Sequence, residues 1–289
     1  MSGAPGSAPT PWVTRPASWA PKSWPGGVWS GYAECVLCPN PSPMTLEGTN
    51  TWLLGAPDQD GLIVVDPGPL DEAHLRRVLD RVGERRVVQT LLTHGHPDHA
   101  EGAARFAELT GAPVRAIGAG HDDLADGDAV ADAGVELVVV ATPGHTSDSL
   151  SFCLTVENAL LTGDTVLGWG TTVVAWPDGV LEDYLASLER IAGLTGSGRV
   201  TDLLPGHGGP IADAAGVVGY YREHRAERLQ QIRDALAGGA RGVDEVVEVV
   251  YADVDRSLWP AAGLSVRAQL DYLGEPHGSP PPRIDPRHD

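Results

Sequence analysis

Thr93-His94-Gly95-His96-Pro97-Asp98-His99 is the stretch on which the reading of this chain turns. It follows Val87 to Leu92, an apolar run of buried-strand type, and leads into Asp98 to Leu109, whose spacing predicts a helix. On an extended segment the alternate residues His94 and His96 leave on the same side. Asp98 and His99 start the next helix and turn back toward them. Imidazole nitrogens and a carboxylate gathered within six positions suit a divalent metal, zinc above all. In a chain with only ten histidines, such a cluster does not arise by accident.

Three further polar residues stand where other apolar runs end. His145 closes Val135 to Ala141 within Thr142-Pro143-Gly144-His145-Thr146, and Asp164 closes Ala159-Leu160-Leu161-Thr162-Gly163. His207 follows Leu203-Leu204-Pro205-Gly206. Each alone reads as a turn residue. Added to His94, His96, Asp98 and His99, they complete seven candidate ligands, enough for two metal ions.

At 289 residues the chain has room for one large domain, or one with a small appendage. Strands are expected at 28–37, 49–54, 62–65, 114–117, 135–141, 150–156, 159–162 and 200–204, with helices at 71–82 and 181–194. Their interleaving predicts a layered α+β domain over 28–212, its sheets covered by helices. Residues 1–27 mix Pro, Ser, Gly, Ala and Trp without periodicity and read as a flexible extension, with Trp12, Trp19 and Trp24 free to lie against the domain. After 213 the strands stop. Helices over 217–236, 243–250 and 264–273 form a small module, 213–274, followed by a proline-rich, disordered tail, 275–289.

Twenty basic against 39 acidic residues leave a net charge of −19, which repels phosphate backbones and anionic membranes. Double-stranded nucleic acid is therefore not an expected partner, although bound cations reverse the potential locally. Cys35 and Cys38 have C-x-x-C spacing but neither a second pair nor a following helix start, so they read as ordinary thiols on a strand. No apolar stretch approaches the roughly 18 residues of a membrane span, and the N-terminus does not read as a signal peptide. A soluble, cytoplasmic protein is expected.

The pattern H-x-H-x-D-H, followed by His, Asp and His at later strand ends, resembles the metallo-beta-lactamase fold superfamily over residues 30–210. That resemblance implies an αβ/βα four-layer sandwich with the site along one edge of its two sheets. It further implies that His94, His96 and His145 hold a first metal and Asp98, His99 and His207 a second, with Asp164 between them. The run Pro39 to Thr51, the run Gly163 to Thr172 and the helical tail are similar to the beta-lactamase-like protein 2 family, in which the tail is a winged-helix-like module. The pattern departs only at the end, where prolines stand in place of a final hairpin.

Two cations close together acidify a shared water and polarise the carbonyl or phosphoryl oxygen under attack. The chain therefore reads as a metal-dependent hydrolase of an ester, thioester, amide or phosphodiester, with Asp98 the catalytic proton carrier. Two zinc ions per chain are expected; the same donors accept iron or manganese. The family resemblance implies endoribonuclease activity on single-stranded RNA, whereas the acidic charge favours a small acyl substrate such as a thioester or lactam. An alternative is an oxidoreductase with one iron, of the persulfide dioxygenase type. Asn50, Thr171 and Thr172, on loops beside ligands, are expected to face substrate, and a homodimer is compatible with the sequence.

Overall fold

The computed structural model describes residues 23–118 and 121–277. Six strands form the first sheet in chain order: β1 (Gly27–Val28), β2 (Ala33–Leu37), β3 (Asn50–Leu54), β4 (Gly61–Val65), β5 (Arg86–Leu91) and β6 (Val114–Arg115). The first four pair antiparallel, and β4, β5 and β6 run parallel. A short hairpin, β7 (Ile117–Gly118) and β8 (His121–Asp122), stands apart. The second sheet has the order β13-β12-β11-β10-β9, from β9 (Ala129–Asp132), β10 (Val135–Ala141), β11 (Leu150–Leu154), β12 (Ala159–Gly163) and β13 (Asp202–Pro205).

Both faces of the central strands are buried, which is why they read as continuous apolar runs rather than alternating ones. Trp52, Leu54, Ile63 and Val65 meet Leu137, Val139, Phe152 and Leu161 between the sheets. Their neighbours Leu53, Leu62 and Val64 point the other way, onto α1 (Glu72–Val82) and Phe106. Behind the second sheet, Leu160 and Leu203 pack against α4 (Leu181–Gly196) and the first half of α5 (Ala214–Ala237). The layers thus run helix, sheet, sheet, helix, the αβ/βα sandwich.

Past α5, the helices α6 (Gly242–Val250) and α7 (Trp259–Leu273) build their own core from Ile232, Val246, Val247, Tyr251, Val266 and Leu270. No strand follows α7 among the described residues, which end at 277. The opening of α5 at Ala214 means that residues just past 213 still pack on the second sheet. No helix of the described residues is long and apolar enough to cross a membrane.

Four elements differ from the sequence reading. The run 28–37 is a hairpin, because the amides of Trp29 and Ser30 turn back to the Ala33 carbonyl. The helix expected over 98–109 is two, α2 (Pro97–Ala100) and α3 (Ala103–Thr110). Gly102 lies between them, against the carbonyls of Gly68 and Pro69, where an added Cβ would meet oxygen at 2.7 Å. The strand expected over 114–117 is broken at Ala116, and the one over 150–156 ends at Leu154 in a single 3-10 turn. Trp24, assigned to the flexible extension, stacks on Trp52 at 6.4 Å between ring centroids. Trp12 and Trp19, with the rest of 1–22 and residues 278–289, lie outside the described residues.

Candidate metal centre

Four strand ends build one site. His94 follows β5, and His96, Asp98 and His99 form or precede α2; His145, Asp164 and His207 follow β10, β12 and β13. Their donor atoms fall into three overlapping groups that could hold a metal: His94, His96 and His145; Asp98, His99 and His207; His94, His99 and Asp164.

In the first group, His96 Nδ1 lies 3.0 Å from both His94 Nε2 and His145 Nε2. In the second, His99 Nε2 and His207 Nε2 are 3.3 Å apart, and Asp98 Oδ2 is 3.2 Å from the latter. Asp164 Oδ2 spans the groups, 3.2 Å from His207 Nε2 and 3.7 Å from His145 Nε2. Donors held 2.0–2.1 Å from a tetrahedral zinc stand about 3.3 Å from one another. The spacing here is of that size.

Hydrogen positions decide whether these nitrogens offer lone pairs. A backbone carbonyl only accepts, so His145 Nδ1 donates to the Val173 carbonyl at 2.8 Å and His207 Nδ1 to that of Gly48 at 3.1 Å. Asp66 does the same for two more rings. Its Oδ2 accepts from His99 Nδ1 at 2.9 Å and from the Thr93 hydroxyl at 2.7 Å, and Thr93 Oγ1 in turn accepts from His94 Nδ1 at 3.0 Å. Four imidazoles therefore have Nδ1 committed and Nε2 pointed inward as the nitrogen left for a metal.

The charge balance agrees. Burial holds His145 down to about 4, so it is a neutral donor at physiological pH. Burial alone would raise the Asp98 carboxyl, but His99 and His207 draw it down to about 2. Burial would lower His207, but Asp164 and Asp98 lift it to about 9, so a cation binding there displaces a proton. Asp164 Oδ1 is buried without a hydrogen bond, with His99 Nε2 3.4 Å away, and a carboxylate oxygen so placed favours a cation. The donor set fits divalent cations.

Backbone geometry makes room. Gly206 packs so closely that an added Cβ would meet Asp164 Oδ1 at 2.6 Å and His99 Cε1 at 2.7 Å. Gly144, before His145, has φ +126° and lies against the backbone of Tyr184.

Of the residues expected to face substrate, Asn50 does not. It is fully buried: its Oδ1 accepts from Trp24 Nε1 at 3.0 Å and Cys35 Sγ at 3.2 Å. Its Nδ2 donates to the carbonyls of Pro205 and Gly208 at 2.9 and 2.8 Å. Every polar position is used, and the amide clamps the turn that carries His207. The Thr172 hydroxyl is likewise turned inward, donating to the Asp164 carbonyl at 2.6 Å. Thr171 Oγ1 is different, buried without a partner at the wall of a cavity.

That cavity, about 440 Å³, opens onto His145 and Asp164. Leu46, Leu167, Trp169 and Val173 line it together with Leu258, Ala261 and Ala262 of the C-terminal module, and among the described residues no Lys or Arg does. The module is tied to the catalytic loops. Buried Arg225 of α5 lies over the Tyr184 ring and donates to the Thr172 carbonyl, and the Tyr221 hydroxyl accepts from the Leu167 amide at 2.9 Å.

Asp66 is not among the residues singled out from the sequence. It ends an apolar run, Leu62 to Val65, just as Asp164 does, and that repetition was the available signal. Cys35 and Cys38 are buried free thiols, burial pushing Cys38 up to about 12, as unreactive as expected.

Comparison with known proteins places this geometry. The sequence profile of the metallo-beta-lactamase superfamily matches residues 44–129 and 117–200, and that of the beta-lactamase associated winged helix domain matches 243–275. The beta-lactamase-like protein 2 homolog of Drosophila melanogaster is 35% identical over 82% of this chain and 86% of its own. An atrochrysone carboxyl ACP thioesterase of Aspergillus fumigatus is 35% identical over 78% of this chain and 76% of its own. A metallo-beta-lactamase family protein from Thermus thermophilus superposes with a TM-score of 0.72 at 25% identity, covering 86% of this chain and 94% of that one. The chain belongs to the metallo-beta-lactamase superfamily and, within it, to the beta-lactamase-like protein 2 family with its associated winged helix domain.

Proposed function

We propose that this protein is a hydrolase with two zinc ions that cleaves the thioester or ester of an apolar acyl group. The observation that carries the reading is the cavity beside His145 and Asp164, whose walls are largely apolar and, among the described residues, carry no Lys or Arg. A phosphodiester strand would need basic and stacking groups along its path. The net charge of −19 and the name of the Aspergillus fumigatus relative, an ACP thioesterase, support the acyl reading.

His94, His96 and His145 would hold one ion, Asp98, His99 and His207 the other, and Asp164 would reach both. Two such cations supply Lewis acidity and an acidified water. The protein's own groups then position and transfer. Water adds to the acyl carbon, the C–S or C–O bond breaks, and the thiol or alcohol leaves with a proton. Asp98, oriented by the Thr49 hydroxyl at 3.2 Å, takes the proton from water and passes it to the leaving atom. Thr171 Oγ1, buried and without a partner, donates to the substrate at the cavity wall.

The test is a panel of acyl thioesters and labelled single-stranded RNA, offered to zinc-loaded and metal-stripped protein. Zinc-dependent release of thiol without RNA cleavage supports the reading. RNA cleavage with no thioester cleaved overturns it.

A further inference from the structure

We propose that the C-terminal module is the gauge of acyl length, with α7 forming the end of the cavity that the acyl chain must reach. The inference rests on the acyl reading above.

The cavity is lined by His145 and Asp164 of the candidate metal centre and by Leu258, Ala261, Ala262 and Ser265 of the C-terminal module. Those four positions are spaced as i, i+3, i+4 and i+7, so they share one face of the helical run that enters α7. Three of the four carry the smallest side chains available to a buried helix face. Larger residues there would occupy the volume that is now open.

The end wall is fixed from behind. Val266 and Leu270 of α7 pack into the module core with Val246 and Val247, while Ala268 packs with Leu188 and Ile191 in the core behind the second sheet. The Trp176 amide donates to the Leu264 carbonyl at 3.4 Å, tying the loop beyond Val173 to the same helix. A helix held on its other faces cannot retreat to admit a longer chain. The mouth is held too, for Trp169 Nε1 donates to both Glu47 carboxylate oxygens at 3.2 Å. Length is therefore limited by α7, and a carbonyl at the near end meets the unpartnered Thr171 hydroxyl.

The experiment compares Ala262→Phe, which shortens the cavity, with Leu258→Ala, which lengthens it, on thioesters from acetyl to dodecanoyl. For Ala262→Phe the ratio of kcat/KM for decanoyl over acetyl falls at least about tenfold, the discrimination that one or two methylenes give. For Leu258→Ala the preferred chain lengthens. Metal-stripped Ala262→Phe also binds a decyl thioether of pantetheine more weakly than metal-stripped wild type, by calorimetry. Two opposite shifts cannot come from a general loss of folding. If zinc-loaded wild type cleaves thioesters and both variants keep its chain-length order, the inference is overturned. If wild type cleaves none, yet Ala262→Phe still weakens thioether binding, the acyl hydrolase reading fails and the placement of the apolar chain stands.

Discussion

Asp66 Oδ2 lies 2.9 Å from His99 Nδ1 and, through the Thr93 hydroxyl, also sets the hydrogen on His94, so one carboxylate orients imidazoles from different candidate metal groups. Removing it frees the rings to rotate and to change tautomer. Asp66→Ala is expected to weaken metal binding about 10–100-fold, measured by competition with a chromophoric chelator. Wild-type affinity in a folded variant would contradict this role.

Asn50 bridges the carbonyls on either side of His207. Asn50→Ala takes that donor from both; the Pro205 carbonyl keeps Trp52 Nε1 at 3.2 Å, while that of Gly208 is left unsatisfied, at a cost of about 1–3 kcal/mol. Denaturant unfolding should show the loss, and metal titration should show the Asp98, His99 and His207 group weakened more than the other. Trp24→Phe keeps the stack on Trp52 but removes one donor to Asn50, so a smaller loss in the same direction is expected. Equal weakening of both metal groups would rule out the clamp.

Fold and centre were legible in the sequence to different depths. The seven candidate ligands that the structure brings together could be read, because they cluster just past strands whose apolar runs end abruptly, and a polar group at such an edge has few other roles. Direction was not legible. Asn50 ends a loop expected to face substrate, but whether its amide faces a cavity or a backbone carbonyl depends on the β13 turn, more than 150 residues away. The break between α2 and α3 was hidden for a similar reason. Gly102 is tolerated in a helix, and only its contact with the Gly68 and Pro69 carbonyls shows why the chain bends there.

His74 gives the fold a pH dependence separate from the metal ligands. It is fully buried, with Nε2 2.9 Å from Thr51 Oγ1; burial first, then the Arg77 guanidinium, lower it from the ordinary 6.5 to about 4. The unfolded chain takes up this proton near 6.5 and the folded one only near 4. Stability from this residue is therefore complete above 6.5 and falls as pH drops to 4, by about 3 kcal/mol. His74→Gln should flatten that part of the profile in denaturant unfolding from about pH 7 to about pH 4. Equal slopes in the two proteins would contradict the assignment.

Asp98 touches both the metal group and the Thr49 hydroxyl. Asp98→Asn keeps an oxygen but loses the proton acceptor. Turnover on the best thioester should fall about 10²–10⁴-fold with KM little changed, in protein whose metal content is matched to wild type. Undiminished turnover would remove Asp98 from proton transfer.

The central claim is that two donor groups, joined by Asp164, hold two ions. Metal analysis of protein saturated with zinc and freed of excess by dialysis tests it most directly, with His207→Ala measured beside wild type. About two zinc ions per wild-type chain and about one in His207→Ala are expected. A single ion per saturated wild-type chain, above all a single tightly held iron, would contradict it.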